Sequence, residues 1–151
     1  MPTFSESSKD ALATCHRALQ ATCWRVIEAC DFTVLEGHRG KERQNRLVQE
    51  GRSKVEWPES KHNAMRVGTD EPDFKRSDAV DLAPYPIDWE ARGRFYVLAG
   101  HMMMAFHGLQ KEGEIEETLG LRWGGDWDGD GELDDQQFDD LPHFELIGAE
   151  S

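Results

Sequence analysis

No stretch of this 151-residue chain approaches the run of roughly 18 apolar residues that a membrane-crossing helix requires. The opening residues, Met1 to Asp10, are polar, so no signal peptide or anchor is recognisable. Positive charge is scarce: 17 Lys and Arg stand against 30 Asp and Glu, and the resulting charge of −13 repels phosphate backbones and anionic lipid. Nucleic acid and membrane surfaces are therefore poor partners. Gly/Pro-rich stretches are few and short, and no repeat is visible. With 38% hydrophobic and 31% charged residues the composition is that of a globular chain, long enough for one core and short for two, so one domain over 1–151 is expected.

Cysteine is scarce too. Cys15, Cys23 and Cys30 fall on a helical stripe with Leu12, Leu19 and Val26. Neighbours seven or eight residues apart on a helix lie about 10–12 Å apart, too far for a disulfide. The three read as core thiols of a protein made in a reducing compartment.

Along the chain, a first helix is expected from Ser7 or Ser8, either of which can cap it, to Cys30 and Asp31. Phe32 to Leu35 reads as a strand closed by a turn at Gly37–Gly40, and Glu42 to Glu50 as a short helix. Gly51 to Asp78 shows no lasting period, and irregular segments that long are usually functional or mobile. Ala79 to Ala83 reads as a strand. Between Trp89 and Gly113 the positions Phe95, Leu98, Ala99, Met102, Ala105, Phe106 and Leu109 form a second helical stripe, its methionines core filler. Leu121 to Trp123 and His143 to Ile147 read as two further strands. The expected class is α+β, a small antiparallel sheet with two main helices packed on it.

Of the six histidines, His16, His101 and His107 lie within helical patterns and carry little weight. His62 lies in the irregular segment, and His143 opens the last strand behind Asp140. Asp81 interrupts the apolar strand Ala79-Val80-Asp81-Leu82-Ala83, where an unpaired carboxylate is expensive to bury; a cation beside it would offset that cost. His62, Asp81 and His143 would supply the three N/O ligands of a catalytic zinc with one open position. Taken singly, each reads more readily as a structural or solvated residue, and spacing alone does not decide.

Eight carboxylates crowd Asp126 to Asp140 with no Lys or Arg among them. Asp126, Asp128, Asp130, Gly131, Glu132 and Asp134 follow the first nine positions of an EF-hand calcium loop, with Gln137 where the bidentate Glu would stand. A solvated acidic loop is the alternative. Trp123, Trp127, Tyr85 and Trp89 lie near these residues in sequence and read equally well as core or as groove lining.

Read in order, Phe32-Thr-Val-Leu-Glu-Gly-His-Arg39, Gln44, Ser60-Lys-His62, Ala79-Val-Asp81-Leu, Arg122-Trp-Gly-Gly-Asp126 and Asp140-Leu-Pro-His143-Phe-Glu resemble the peptidoglycan peptidases of the D-Ala-D-Ala carboxypeptidase and VanY superfamily. The resemblance is nearest to the phage L-alanyl-D-glutamate endopeptidase endolysins and runs from the first helix to about Ile147. It implies a Hedgehog/D,D-peptidase-like zinc peptidase fold, zinc on His62, Asp81 and His143, Asp140 as base, and Arg39 steadying an oxyanion or a substrate carboxylate. A plain surface arginine in a turn is the alternative for Arg39. The implied reaction cuts the L-Ala–D-Glu bond of stem peptides. Some phage endolysins of this family bind calcium in the region of the acidic loop, so calcium is expected to order the approach to Asp140 and His143.

One departure stands out. Nineteen positions separate His62 from Asp81, where the family spacing is short, which implies an insertion at roughly 65–75 and raises Asp78 as a rival ligand. The Ala-Val-Asp-Leu context favours Asp81. The length is expected to leave no room for a separate wall-binding domain, which fits single-domain phage endolysins by analogy, and a monomer is expected. Without a signal sequence, a protein made in the host cytoplasm would reach the wall in the periplasm through a separate pore-forming protein. A D,D- or L,D-carboxypeptidase on the same scaffold and a non-catalytic zinc and calcium module are the competing readings. A calcium sensor fits less well, because the acidic loop is single and lacks two clear flanking helices.

Overall fold

Phe32–Glu36 (β1), Ala79–Pro84 (β2), Gly120–Trp123 (β3) and His143–Ile147 (β4) form one antiparallel sheet in the order β1-β2-β4-β3. The computed structural model describes residues 2–53, 55, 57, 59–63, 77–126 and 140–148. Its helices are Glu6–Leu12 (α1), Arg17–Val26 (α2), Lys41–Gln49 (α3) and Arg92–Lys111 (α4), with a 3-10 turn at Lys61–Asn63. The mixed class and small antiparallel sheet expected from the sequence are present.

The strands have two faces because side chains alternate. Phe32, Val34, Val80, Leu82, Phe144 and Leu146 are all buried in one apolar core with the helices. On α4 the stripe Phe95, Leu98, Ala99, Met102, Ala105, Phe106 and Leu109 is buried as its period predicts. Each fully buried Leu or Phe stabilises by roughly 1.5–3 kcal/mol, so the packing of α2 on α4, of α1 on β1 and of α4 on β2 and β3 outweighs local helix propensity. Among the described residues no helix is long and apolar enough to cross a membrane.

The opposite face carries the polar residues. Asp81 and His143 are direct cross-strand partners, as are Arg122 and Glu145. A bulge in β1 between Val34 and Glu36 places Glu36 opposite Asp81. Glu36, Asp81 and His143 therefore form one row across three strands. Without the extra residue, Leu35 would occupy Glu36's place.

The single helix expected from Ser7 or Ser8 to Cys30 is two helices. Ser5, not Ser7 or Ser8, caps α1, and the helix stops at Leu12. Thr14 turns its hydroxyl back onto the Ala11 carbonyl, and the backbone of Thr14 to His16 pairs with Ser77: Ser77 N donates to Thr14 O at 2.7 Å and His16 N to Ser77 O at 2.8 Å. His16 Nδ1 then accepts from Ala18 N and caps α2. Leu12, Cys15, Leu19 and Cys23 are all buried, so the apolar period runs through a break that a partner some 60 residues away imposes.

The three thiols are unpaired, with Cys15 and Cys23 buried and Cys30 half-buried. The inferred insertion at 65–75, and Trp127 to Asp139 with most of the acidic loop, lie outside the described residues.

Candidate metal centre

His62 is held by a web of short-range bonds. Its backbone N–H donates to Ser60 Oγ at 3.2 Å, and the turn is tied to the loop after β1 by Arg39 N donating to His62 O at 2.8 Å. Asn63 Nδ2 closes the same junction on Arg39 O at 2.7 Å. Ring atom Nδ1 meets the Gly37 carbonyl at 2.7 Å; since a carbonyl only accepts, Nδ1 carries the proton and Nε2 presents a lone pair.

That lone pair points at two neighbours. His62 Nε2 lies 3.2 Å from Asp81 Oδ1 and 3.3 Å from His143 Nδ1, and His143 Nδ1 lies 3.1 Å from Asp81 Oδ1. Three donors bound to one tetrahedral zinc at 2.0–2.1 Å stand about 3.3 Å from one another. The three separations match that spacing, and the donor set, two imidazoles and a carboxylate, suits the ion. Among the described residues these three form the one cluster of ligand-type side chains close enough to share a metal. Asp78 is buried but is not part of it.

His143 is also fixed from behind. Its Nε2 donates to Glu145 Oε1 at 2.8 Å, and Glu145 Oε2 accepts from Arg122 Nη2 at 2.6 Å. Residues two apart on a strand share a face, so the His143-Phe144-Glu145 alternation dictates this contact. Burial alone would lower the His143 pKa, but the bonds to Asp81 and Glu145 carry it up to about 9. Burial would raise Glu145, which His143 and Arg122 instead hold down at about 2. For Asp81, burial is outweighed by the charges and hydrogen bonds of His62 and His143, which hold the carboxyl well below its usual range. The cluster thus favours positive charge between its three donors, the electrostatic condition for binding a cation.

Arg39 is buried at 8% exposure and supports the centre from the β1 side. Nε and Nη2 grip Glu36 at 2.9 and 3.3 Å, Nη1 donates to Gln44 Oε1 at 2.9 Å, and Nη2 reaches Asp81 Oδ2 at 3.5 Å. The Asp81 oxygens are thereby divided, Oδ2 toward Arg39 and Oδ1 toward the imidazoles. Gln44, fully buried, spends its amide nitrogen on Ser53 Oγ and the Val55 carbonyl, anchoring the chain after α3.

Asp140 lines the same cleft, a space of about 690 Å³ that Arg39, Asp81 and His143 also line. Its backbone is pinned: Asp140 N donates to Gly124 O at 2.9 Å, Gly124 N to His143 O at 2.8 Å, and Trp123 Nε1 to Leu141 O at 2.7 Å. A Cβ on Gly124 would stand 2.0 Å from Asp140 O, so only glycine permits this approach. Burial and the nearby charge of Asp81 raise the Asp140 carboxyl above the usual carboxylate range, against the pull of His143, His62 and Arg39.

The structure therefore brings together His62, Asp81, His143, Asp140 and Arg39. Of the acidic loop only Asp126 is described, bridged to Trp123; Asp128, Asp130, Glu132 and Asp134 lie outside the described residues. Trp123 is core, stacked on Phe144, whereas Trp89 lines the cleft and Tyr85 is exposed. Sequence reasoning passed over Glu36, Asn63 and Glu145 as supports. Alternation from His143 would have flagged Glu145; no local pattern marks the other two.

The profile of the family described as phage L-alanyl-D-glutamate peptidase matches residues 2–147. The chain is 30% identical over 139 residues to the L-alanyl-D-glutamate peptidase of Escherichia phage T5, spanning 88% of this chain and 87% of that protein. Its fold resembles the crystal structure of the Serratia marcescens L-Ala D-Glu endopeptidase ChiX, with a TM-score of 0.63 and 22% identity over 95% of this chain and 89% of that one.

Proposed function

Because the chain belongs to the phage L-alanyl-D-glutamate peptidase family, we propose that it hydrolyses the L-Ala–D-Glu amide of peptidoglycan stem peptides at a zinc centre formed by His62, Asp81 and His143. The single observation that carries the metal assignment is the mutual spacing of His62 Nε2, Asp81 Oδ1 and His143 Nδ1 at 3.1 to 3.3 Å on the wall of an open cleft. Zinc bound there would supply a Lewis acid that polarises the scissile carbonyl and makes water acidic enough to attack.

The chain's own groups do the rest. Asp140 accepts the proton of the attacking water and returns it to the departing amine, a role its raised carboxyl pKa suits. Arg39 keeps Asp81 turned with one oxygen toward the donors, and its charge in the cleft wall stabilises the oxyanion. Glu145 and Gly37 fix the ring orientations of His143 and His62. Asp126, Asp128, Asp130, Glu132 and Asp134 would hold a calcium ion, which would order the approach to Asp140. The protein acts on the cell wall, reached in the periplasm after release from the host cytoplasm.

Metal analysis of the purified protein, with mass spectrometry of digested muropeptides before and after chelation, tests the reading. Zinc at one per chain and a new D-Glu amino terminus, lost on chelation, are expected. Release of free D-Ala instead would make it a carboxypeptidase, and no cleavage by the zinc-loaded chain would make it a binding module.

A further inference from the structure

The cleft is an electrostatic exception. In a chain with 17 cations against 30 anions, its wall gathers five cations, Arg39, Arg43, Arg52, Lys61 and Arg122, against as many carboxylates. Two of those cations are committed: Arg39 is buried among Glu36, Gln44 and Asp81, and Arg122 Nη2 is 2.6 Å from Glu145. Arg52 is 62% exposed and pairs with Glu50, away from the centre.

Arg43 differs from these three arginines. Its Nε stands 3.4 Å from Glu36 Oε1, a carboxylate already gripped twice by Arg39, so two guanidiniums share one negative charge. That contact steers the side chain while its terminal amino groups make no hydrogen bond among the described residues. Arg43 also lies in the first turn of α3, where the helix dipole disfavours a cation. Its 40% exposure keeps it open to the cleft yet restrained by Glu36. A half-desolvated, pre-aimed fork with surplus charge is suited to a planar anion.

The substrate offers such an anion. A glutamyl residue on the amine side of a scissile amide has two carboxyl groups, and whichever one continues the peptide, the other is free. We infer that Arg43, steered by Glu36, forms a carboxylate subsite for the glutamyl residue on the leaving-group side of the scissile bond. The inference rests on the peptidase reading above and makes Arg43 a specificity-determining residue.

The test compares two peptides, one with an L-alanyl-D-glutamyl unit bearing the free carboxylate and one with that carboxylate amidated, cleaved by the zinc-loaded full chain. The parent is expected to favour the free acid by about 10-fold in kcat/KM, mostly through KM, because a charge-assisted bond is replaced by a neutral one. Arg43→Gln, which retains a donor for Glu36, should bring the ratio close to one, and Arg43→Lys should restore part of it. Zinc affinity and thermal midpoint separate this effect from misfolding, which cannot change a ratio between two substrates. A parent that cleaves both peptides with a ratio unmoved by Arg43→Gln, or moved instead by Arg52→Ala or Lys61→Ala, overturns the inference alone. A parent that cleaves neither removes the peptidase reading and the inference with it.

Discussion

Gly37 connects the break between the first two helices to the candidate metal centre, and Gly37→Ala tests that connection. A Cβ there would lie 2.3 Å from Thr14 Oγ1, 2.4 Å from Ala11 O and 2.9 Å from Cys15 Sγ. One of these is a backbone atom, so relieving the clash to an ordinary contact moves the loop by about 1 Å. The Gly37 carbonyl accepts from His62 Nδ1 at 2.7 Å, and the same displacement takes that bond past its useful range. Overpacking costs about 1–3 kcal/mol and the lost bond about 1 kcal/mol, together roughly 2–4 kcal/mol, or a fall of roughly 5–15 °C in thermal midpoint for a chain of this size. Zinc affinity should fall about 10- to 100-fold, as for loss of any group that orients a ligand. Urea unfolding in chelator measures the first effect and zinc titration the second. Gly100→Ala is the control: nothing lies within 4 Å of its added Cβ, so in the middle of α4 it should stabilise by about 0.5–1 kcal/mol. A Gly37→Ala protein with the parent's urea midpoint and zinc affinity would refute the linkage.

Five further outcomes are expected. Glu145→Gln removes the charge behind His143 Nε2 and should weaken zinc binding about 10- to 100-fold by titration, with the circular dichroism spectrum unchanged. Stripping the ion with a chelator should lower the unfolding free energy by about 3 kcal/mol when the loaded sample holds free zinc at 100 times its dissociation constant; an unchanged urea midpoint would mean that the native cluster has no preference for metal. Native protein at neutral pH should present only Cys30 to a thiol reagent and all three cysteines in urea, because burial pushes Cys15 up to about 12 and Cys23 well above 9.0. The same shift has a pH sign: the unfolded chain ionises Cys15 first, so the stability it contributes is intact below pH 9 and is lost as pH climbs toward 12, visible as an alkaline fall in the urea midpoint. Calcium added to the zinc-loaded protein should raise both activity and thermal midpoint; no change in either removes the calcium loop from the account.

Much of the architecture was legible locally, because burial imposes a period on the residues that achieve it. The α4 stripe from Phe95 to Leu109 is buried throughout, and β2, β3 and β4 lie where their apolar runs predicted. The same signal misled at the N-terminus, since Leu12, Cys15 and Leu19 keep a helical period across the break between α1 and α2. Periodicity reports which side chains are buried, and Cys15 is buried, but the partner that interrupts the helix is Ser77. The bulge that brings Glu36 opposite Asp81 is equally silent in the sequence, because an extra residue in β1 has meaning only against the register of β2.

The sequence alone determined the chemistry on offer: two histidines and an aspartate in motifs that resemble a zinc peptidase, a carboxylate three residues before the second of those histidines, and a glycine-arginine turn. Residue types and short spacings carry that information because they reflect what side chains can do. Only the tertiary structure decided which atoms meet. Asp81 faces His143 through strand pairing, Arg39, held by Glu36 and Gln44, reaches Asp81, and the His62 ring is set by a carbonyl 25 positions earlier. Such contacts depend on pairings between distant segments, whose register is fixed by packing across the whole core and leaves no local trace at the residues it joins.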